Sequence, residues 1–257
     1  MKVFLLTLGI SMYAAFTWGQ EKSAAVITSG KITFEEKIKL EIKLEGDAAR
    51  FADNFPKERV SEKILLFTND ATLFENGKNI PQDMETEHPE GIRIKISTGS
   101  EDKIYSDLKD NKVVEQRDFM NRIFLIEKPM PESVWKITGN QKVILGYPCM
   151  KAFRLDTAGV RTDVWFTPVI TVKGGPAGIL NLPGMVLAAD INNGSRTYMA
   201  KSLEQVSPEE LKIQKPKEGK KMTEEEFRAV VSEKMKEMGV NEGKPGGGAQ
   251  MQIIIKQ

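Results

Sequence analysis

Lys31-Ile32-Thr33-Phe34-Glu35-Glu36-Lys37-Ile38-Lys39-Leu40-Glu41-Ile42-Lys43-Leu44 is the stretch on which the fold turns. Ile32, Phe34, Ile38, Leu40 and Ile42 share one parity, with charged residues between them. Successive strand side chains point to opposite faces, so this alternation describes a long strand with one covered and one wet face. Further strand-like segments follow at 63–68, 71–75, 92–97, 103–108, 112–118, 121–127, 133–138, 141–145, 149–156, 162–167, 185–191 and 197–203. Turn signals separate them at Glu75-Asn76-Gly77, Thr138-Gly139-Asn140, Ala158-Gly159 and Asn192-Asn193-Gly194. Many short strands with frequent turns predict a mainly β protein, a curved antiparallel sheet or half-barrel, rather than βαβ units. Such a sheet needs a helix, a long loop or a ligand over its apolar side. Residues 51–60 read as a loop or short helix, and 81–90 as an exposed hairpin loop.

The composition changes after Val206. Residues 207–222 are rich in Lys, Glu and Pro without an apolar period, which reads as a charged linker. Thr223-Glu224-Glu225-Glu226 is a capping box, and Phe227, Val230, Val231 and Met235 follow at helical spacing. A C-terminal α-helix ending at Met238-Gly239 is expected. Residues 241–250 are Gly-rich, and 251–256 suit a final strand or arm. The division is then 1–19 as signal peptide, 20–206 as β domain, 207–222 as linker and 223–257 as helix plus terminal strand or arm.

The first division rests on Met1-Lys2, an apolar run from Val3 to Phe16, and Thr17-Trp18-Gly19 before a polar stretch. This reads as a cleaved signal peptide, with no Cys to carry a lipid, and places the protein in the periplasm or the medium. No later run is long enough for a transmembrane segment. Removing residues 1–19 takes away Lys2 alone among the charged residues, so 37 basic residues become 36 against 36 acidic ones. That balance argues against nucleic acid as partner. Cys149 is the only cysteine, so no internal disulfide forms.

A second stretch is unusual. Gly174-Gly175-Pro176-Ala177-Gly178-Ile179-Leu180-Asn181-Leu182-Pro183-Gly184-Met185-Val186-Leu187 combines backbone breakers with apolar bulk. Leu182-Pro183-Gly184-Met185 fits a type II turn, with positive φ at Gly184. Its end, Leu182-Pro183-Gly184-Met185-Val186-Leu187, follows Trp135-Lys136-Ile137, Gly146-Tyr147-Pro148-Cys149-Met150-Lys151-Ala152, Val164-Trp165-Phe166-Thr167-Pro168 and Gly175-Pro176, in that order. This order resembles the GLPGLI family of secreted envelope proteins of Bacteroidota-type bacteria, most strongly from Trp135 to Asp190. Asn181, Met185 and Val186 depart from the name motif. Asn tolerates positive φ best after Gly, and the other two keep apolar bulk. The resemblance implies a compartment and no activity.

The candidate contact residues are Trp135, Tyr147, Trp165, Phe166, Ile179, Leu180, Leu182 and Met185, with Pro183 and Gly184 shaping the turn. They are either core or the lining of a cavity. Cys149 would need a base to act as a nucleophile, and His88 is the only histidine. No metal cluster, cofactor fingerprint or catalytic motif stands out. The reading leans away from an enzyme. It expects an envelope binding or carrier protein holding a lipid, another apolar ligand or an outer-membrane partner. A structural or assembly factor, and an enzyme using Cys149, are the alternatives.

Overall fold

Alternation along the first strand is realised as expected. Ile32, Phe34 and Ile38 are buried, and their neighbours of the other parity are not. The computed structural model describes residues 26–40, 56–78, 84–87, 93–96 and 102–237. The expected leader, the strand beyond Leu40, His88, the helix end at Met238-Gly239 and the 251–256 strand lie outside the described residues.

The strands are β1 (Gly30–Lys39), β2 (Glu58–Phe67), β3 (Ala71–Asn76), β4 (Met84–Glu87), β5 (Arg93–Ile96), β6 (Lys103–Asp107) and β7 (Lys112–Phe119). They continue as β8 (Arg122–Pro129), β9 (Lys136–Ile144), β10 (Tyr147–Leu155), β11 (Arg161–Thr167), β12 (Met185–Ile191), β13 (Arg196–Glu204) and β14 (Lys220–Met222). Helices α1 (Pro208–Leu211) and α2 (Glu224–Glu237) flank β14. Twelve strands form one open sheet in the order β14-β8-β7-β6-β3-β2-β1-β13-β12-β11-β10-β9, while β4 and β5 pair separately. The fold is mainly β with a C-terminal helix, as the alternation implied. Every pairing in the large sheet is antiparallel except β14 on β8.

Two expectations change. Thr138-Gly139-Asn140 is not a hairpin turn. Strand β9 runs through it, with Ile137 opposite Ala152 and Gln141 opposite Met150, so the three residues bulge past Lys151. The Thr138 hydroxyl donates to the Lys151 carbonyl at 3.2 Å across that bulge. Residues 207–222, read as a linker, carry α1 and β14. Parallel pairing of Lys220, Lys221 and Met222 with Phe124, Leu125 and Ile126 fixes them at the sheet edge. Strand pairing there depends on backbone groups, which an apolar period does not report.

The sheet curls strongly. Strands β3 and β13 stand three places apart, about 14 Å in a flat sheet. Yet Phe74 on β3 meets Tyr198 on β13 edge to face, with ring centroids 5.8 Å apart. The 168–184 loop joins β11 to β12 and lies in this concavity. Its single 3-10 turn at Pro176–Gly178 touches β3, β6 and β12. Ile179, Leu180, Leu182 and Met185 are each 4% exposed or less. Burial of such side chains contributes about 1.5–3 kcal/mol each. The loop therefore supplies the cover that a single curved sheet needs.

Candidate functional site

The concave face has an apolar half and a charged half. Cross-strand register identifies the rows. Ile32, Leu65, Phe74, Ile104, Glu115 and Ile126 are successive partners across β1, β2, β3, β6, β7 and β8. The adjoining row runs through Phe34, Lys63 and Asn76, and the next pairs Glu36 with Ser61 and Tyr198. Leu65, Phe67, Ile32 and Phe34 fill the apolar half and are fully buried.

Glu36 centres the charged half and is 2% exposed. Tyr198 donates its hydroxyl to Glu36 Oε1 at 2.7 Å, and Ser61 donates to Oε2 at 2.8 Å. Lys63 Nζ lies 3.6 Å from Oε2, and Arg196 Nε 3.5 Å from Oε1. Burial opposes ionisation of Glu36, but Lys63, Arg196 and the two hydroxyls outweigh it and hold the carboxyl below its ordinary value. Burial and the adjoining carboxylate push the Tyr198 phenol far up, so it stays a donor. Lys63 is depressed by burial first, then by the neighbouring guanidinium groups of Arg59 and Arg196. It donates to Asn76 Oδ1 at 2.5 Å.

The belt continues toward the other edge. Arg117 bridges Asp102 at 3.4 Å and Glu115 at 2.7 Å. Lys128 bridges Glu115 at 2.9 Å and Glu224 of α2 at 3.1 Å. Burial opposes the charge of Glu115, yet Arg117 and Lys128 hold it low. Glu36 and Glu115 thus both stay ionised near neutrality. They can accept hydrogen bonds or anchor cations, but neither is poised to donate a proton.

The residues singled out from sequence do not line one cavity. Trp165 and Phe166 are neighbours on β11 and face opposite sides. Phe166 is fully buried, whereas Trp165 is half-buried beneath Lys142, whose Nζ lies 4.3 Å from the ring centroid. Trp135 is half-buried and donates its indole N–H to the Leu180 carbonyl at 2.9 Å. Tyr147 is half-buried against the core. Gly184 has φ +149°, so the demand for glycine holds, but the turn is not type II. Its N–H donates to the Leu182 carbonyl at 2.8 Å, which closes a γ-turn on Pro183. Asn181 has φ +68° and donates to the Pro131 carbonyl at 2.5 Å.

Cys149 is buried, and burial pushes its thiol up despite nearby Lys142 and a backbone hydrogen bond from Ile144. Its nearest acceptor is the Tyr147 carbonyl at 3.4 Å. A protonated, covered thiol is no nucleophile. Among the described residues, no cluster of His, Cys, Asp and Glu is arranged to hold a metal ion, and no helix is long and apolar enough to cross a membrane.

Glu36 was missed in sequence, although a signal existed. It shares the parity of Ile32, Phe34 and Ile38 and interrupts their apolar row. A charge at an apolar position marks either a break in the strand or a buried polar cluster.

The family model for the N-glycanase peptide, N-terminal domain (PNGase F-II N-terminal domain), matches residues 56–228, well over half of the chain. The chain belongs to the PNGase F-II N-terminal domain family. The match runs from the residues just before β2 into α2, so it takes in most of the large sheet. Solved structures of PNGF-II in two space groups share the fold. One superposes with TM-score 0.52 and 19% identity, the other with 0.51 and 20%. Each alignment covers 80% of this chain and 33% of PNGF-II, so this chain spans one third of the length of those proteins. An uncharacterised conserved protein from Thermus thermophilus aligns over 77% of this chain and 91% of its own, at 8% identity and TM-score 0.35. No curated protein sequence matches significantly.

This family corrects two readings. The GLPGLI assignment rested on elements between Trp135 and Asp190, whereas the N-glycanase domain also accounts for β2 through β8 and the start of α2. The expectation of a non-enzymatic carrier for an apolar ligand is overturned by the match of residues 56–228 to an N-glycanase N-terminal domain. The physical reason is visible in the loop: Ile179, Leu180, Leu182 and Met185 are the filling of the concavity, not its rim. The alternative of an enzyme using Cys149 meets a separate obstacle, a buried thiol that burial keeps protonated.

Proposed function

We propose that this protein takes part in the enzymatic removal of N-linked glycans, as the domain that faces the glycoprotein substrate. The match of residues 56–228 to the N-terminal domain of N-glycanases carries this reading. The charged half of the concave face supports it. Glycans are recognised through hydroxyls, and the partly exposed Lys63, Arg117 and Lys128, anchored by Glu36, Asp102 and Glu115, line one belt of donors. Glu36 and Glu115, buried and held ionised by Lys63, Arg196, Arg117 and Lys128, anchor those cations and are not poised to protonate a leaving group. The leader-like residues 1–19 are consistent with work in the periplasm or the medium.

The test uses the full chain against one N-glycosylated protein and the same protein stripped of its glycans. Complex formation is measured by biolayer interferometry. At least tenfold tighter association with the glycosylated form is expected. Equal association with both forms overturns the reading.

A further inference from the structure

We infer that Arg59, Lys63 and Arg196, gathered on the concave face around Glu36, form a binding site for the anionic substituent of an acidic glycan, a carboxylate or a sulfate ester. This rests on the N-glycan reading and deepens it.

The charge count comes first. Lys63 and Arg196 lie 3.6 and 3.5 Å from the same carboxylate, and Arg59 interacts with it electrostatically. Asp102, the next carboxylate in reach of Lys63, is engaged by Arg117 at 3.4 Å and by the Asp118 N–H at 2.9 Å. Three cations thus share one carboxylate in a partly desolvated place. Arg59 and Arg196 repel each other there.

The second observation is unsatisfied donors. The Nε atom of Arg59 is buried without a hydrogen-bond partner, and that of Arg196 has only the 3.5 Å ion pair with Glu36. Among the described residues, no carboxylate stands within ion-pair distance of Arg59. A buried donor without a partner is destabilising, and a ligand that accepts from it relieves that cost. Guanidinium groups match carboxylates and sulfates through paired N–H donors.

The third is access. The side chains of Lys63 and Arg196 keep 15% and 18% of their exposure, and Arg59 is half-buried. The site is shielded enough to strengthen a charge contact and open enough to admit one group.

The experiment is calorimetric titration of the full chain at fixed ionic strength with 3′-sialyllactose, 6-sulfo-N-acetyllactosamine, lactose and inorganic sulfate. Saturable binding of at least one acidic sugar, with none of lactose, is expected. Which acidic sugar binds distinguishes a carboxylate from a sulfate ester. Arg59→Met should weaken that binding tenfold or more and leave the melting temperature in anion-free buffer unchanged or higher, because it relieves repulsion. Arg59→Met that lowers the melting temperature and leaves binding unchanged assigns Arg59 to structure and overturns the inference. Inorganic sulfate binding without either acidic sugar also overturns it. If no acidic sugar binds while the glycosylated protein is still preferred, only this inference fails. If an acidic sugar binds without that preference, only the N-glycan reading fails.

Discussion

Gly184 shows how much one missing Cβ can decide. At φ +149° the backbone is already where L side chains are strained. A Cβ built there would also stand 2.1 Å from the Thr167 carbonyl oxygen. Strain and clash act together, so Gly184→Ala should cost about 2 kcal/mol or more. Gly184→Asn should offer no relief, because tolerance of left-handed φ does not remove a clash with backbone. Chemical denaturation of the wild type and both variants checks this, and a mild Asn variant would contradict the geometry. Trp135 makes a gentler case. Its indole N–H holds the Leu180 carbonyl, and Trp135→Phe should cost about 1 kcal/mol for that bond in addition to lost packing area.

At the scale of elements, α2 begins where the sequence places it. The Glu226 N–H donates to Thr223 Oγ1 at 3.1 Å, and the Thr223 N–H donates to Glu226 Oε2 at 2.8 Å. Thr223→Ala should cost about 1 kcal/mol. Hydrogen exchange should localise the loss to the first turn of α2, where Phe227 packs on Phe119 and Phe124 with centroids 6.2 and 5.4 Å away. Exchange that is unchanged there would mean that these aromatic contacts alone fix the helix start. Local chemistry of this kind is legible in sequence, as is the alternation of β1. Pairing is not. Nothing local in Lys220-Lys221-Met222 announces a parallel partner 96 residues earlier, because the pairing uses backbone groups that every residue has. The site was hidden for a related reason. Arg59, Lys63 and Arg196 are ordinary surface residues when read singly, and only the register of β2, β1 and β13 brings them to Glu36.

The whole molecule is a curled sheet whose concave side is half loop-filled apolar core and half charge. The two halves answer differently to pH. Ile32, Phe34, Leu65 and Phe67, which fill the apolar half, carry no ionisable group. Glu36 is held below its ordinary value in the fold, so the unfolded chain binds its proton more readily. Its contribution is fully present above the unfolded carboxylate range and is lost as pH falls through the lower folded value. Stability should therefore decline below about pH 4, where ordinary Glu side chains take up protons. Glu36→Gln separates this term from the rest. It removes the shared counter-charge of Lys63, Arg196 and Arg59, which should cost about 3–5 kcal/mol at pH 7, as for a broken buried ion pair. In acid the wild type loses the same charge, so the two melting temperatures should converge between pH 7 and pH 3. Glu115 stays low in both proteins and keeps part of the acid decline in the variant. Curves that run parallel across this range would show that Glu36 is replaceable by a neutral acceptor. The charged half would then be held by hydrogen bonds from Tyr198 and Ser61 rather than by its ion pairs.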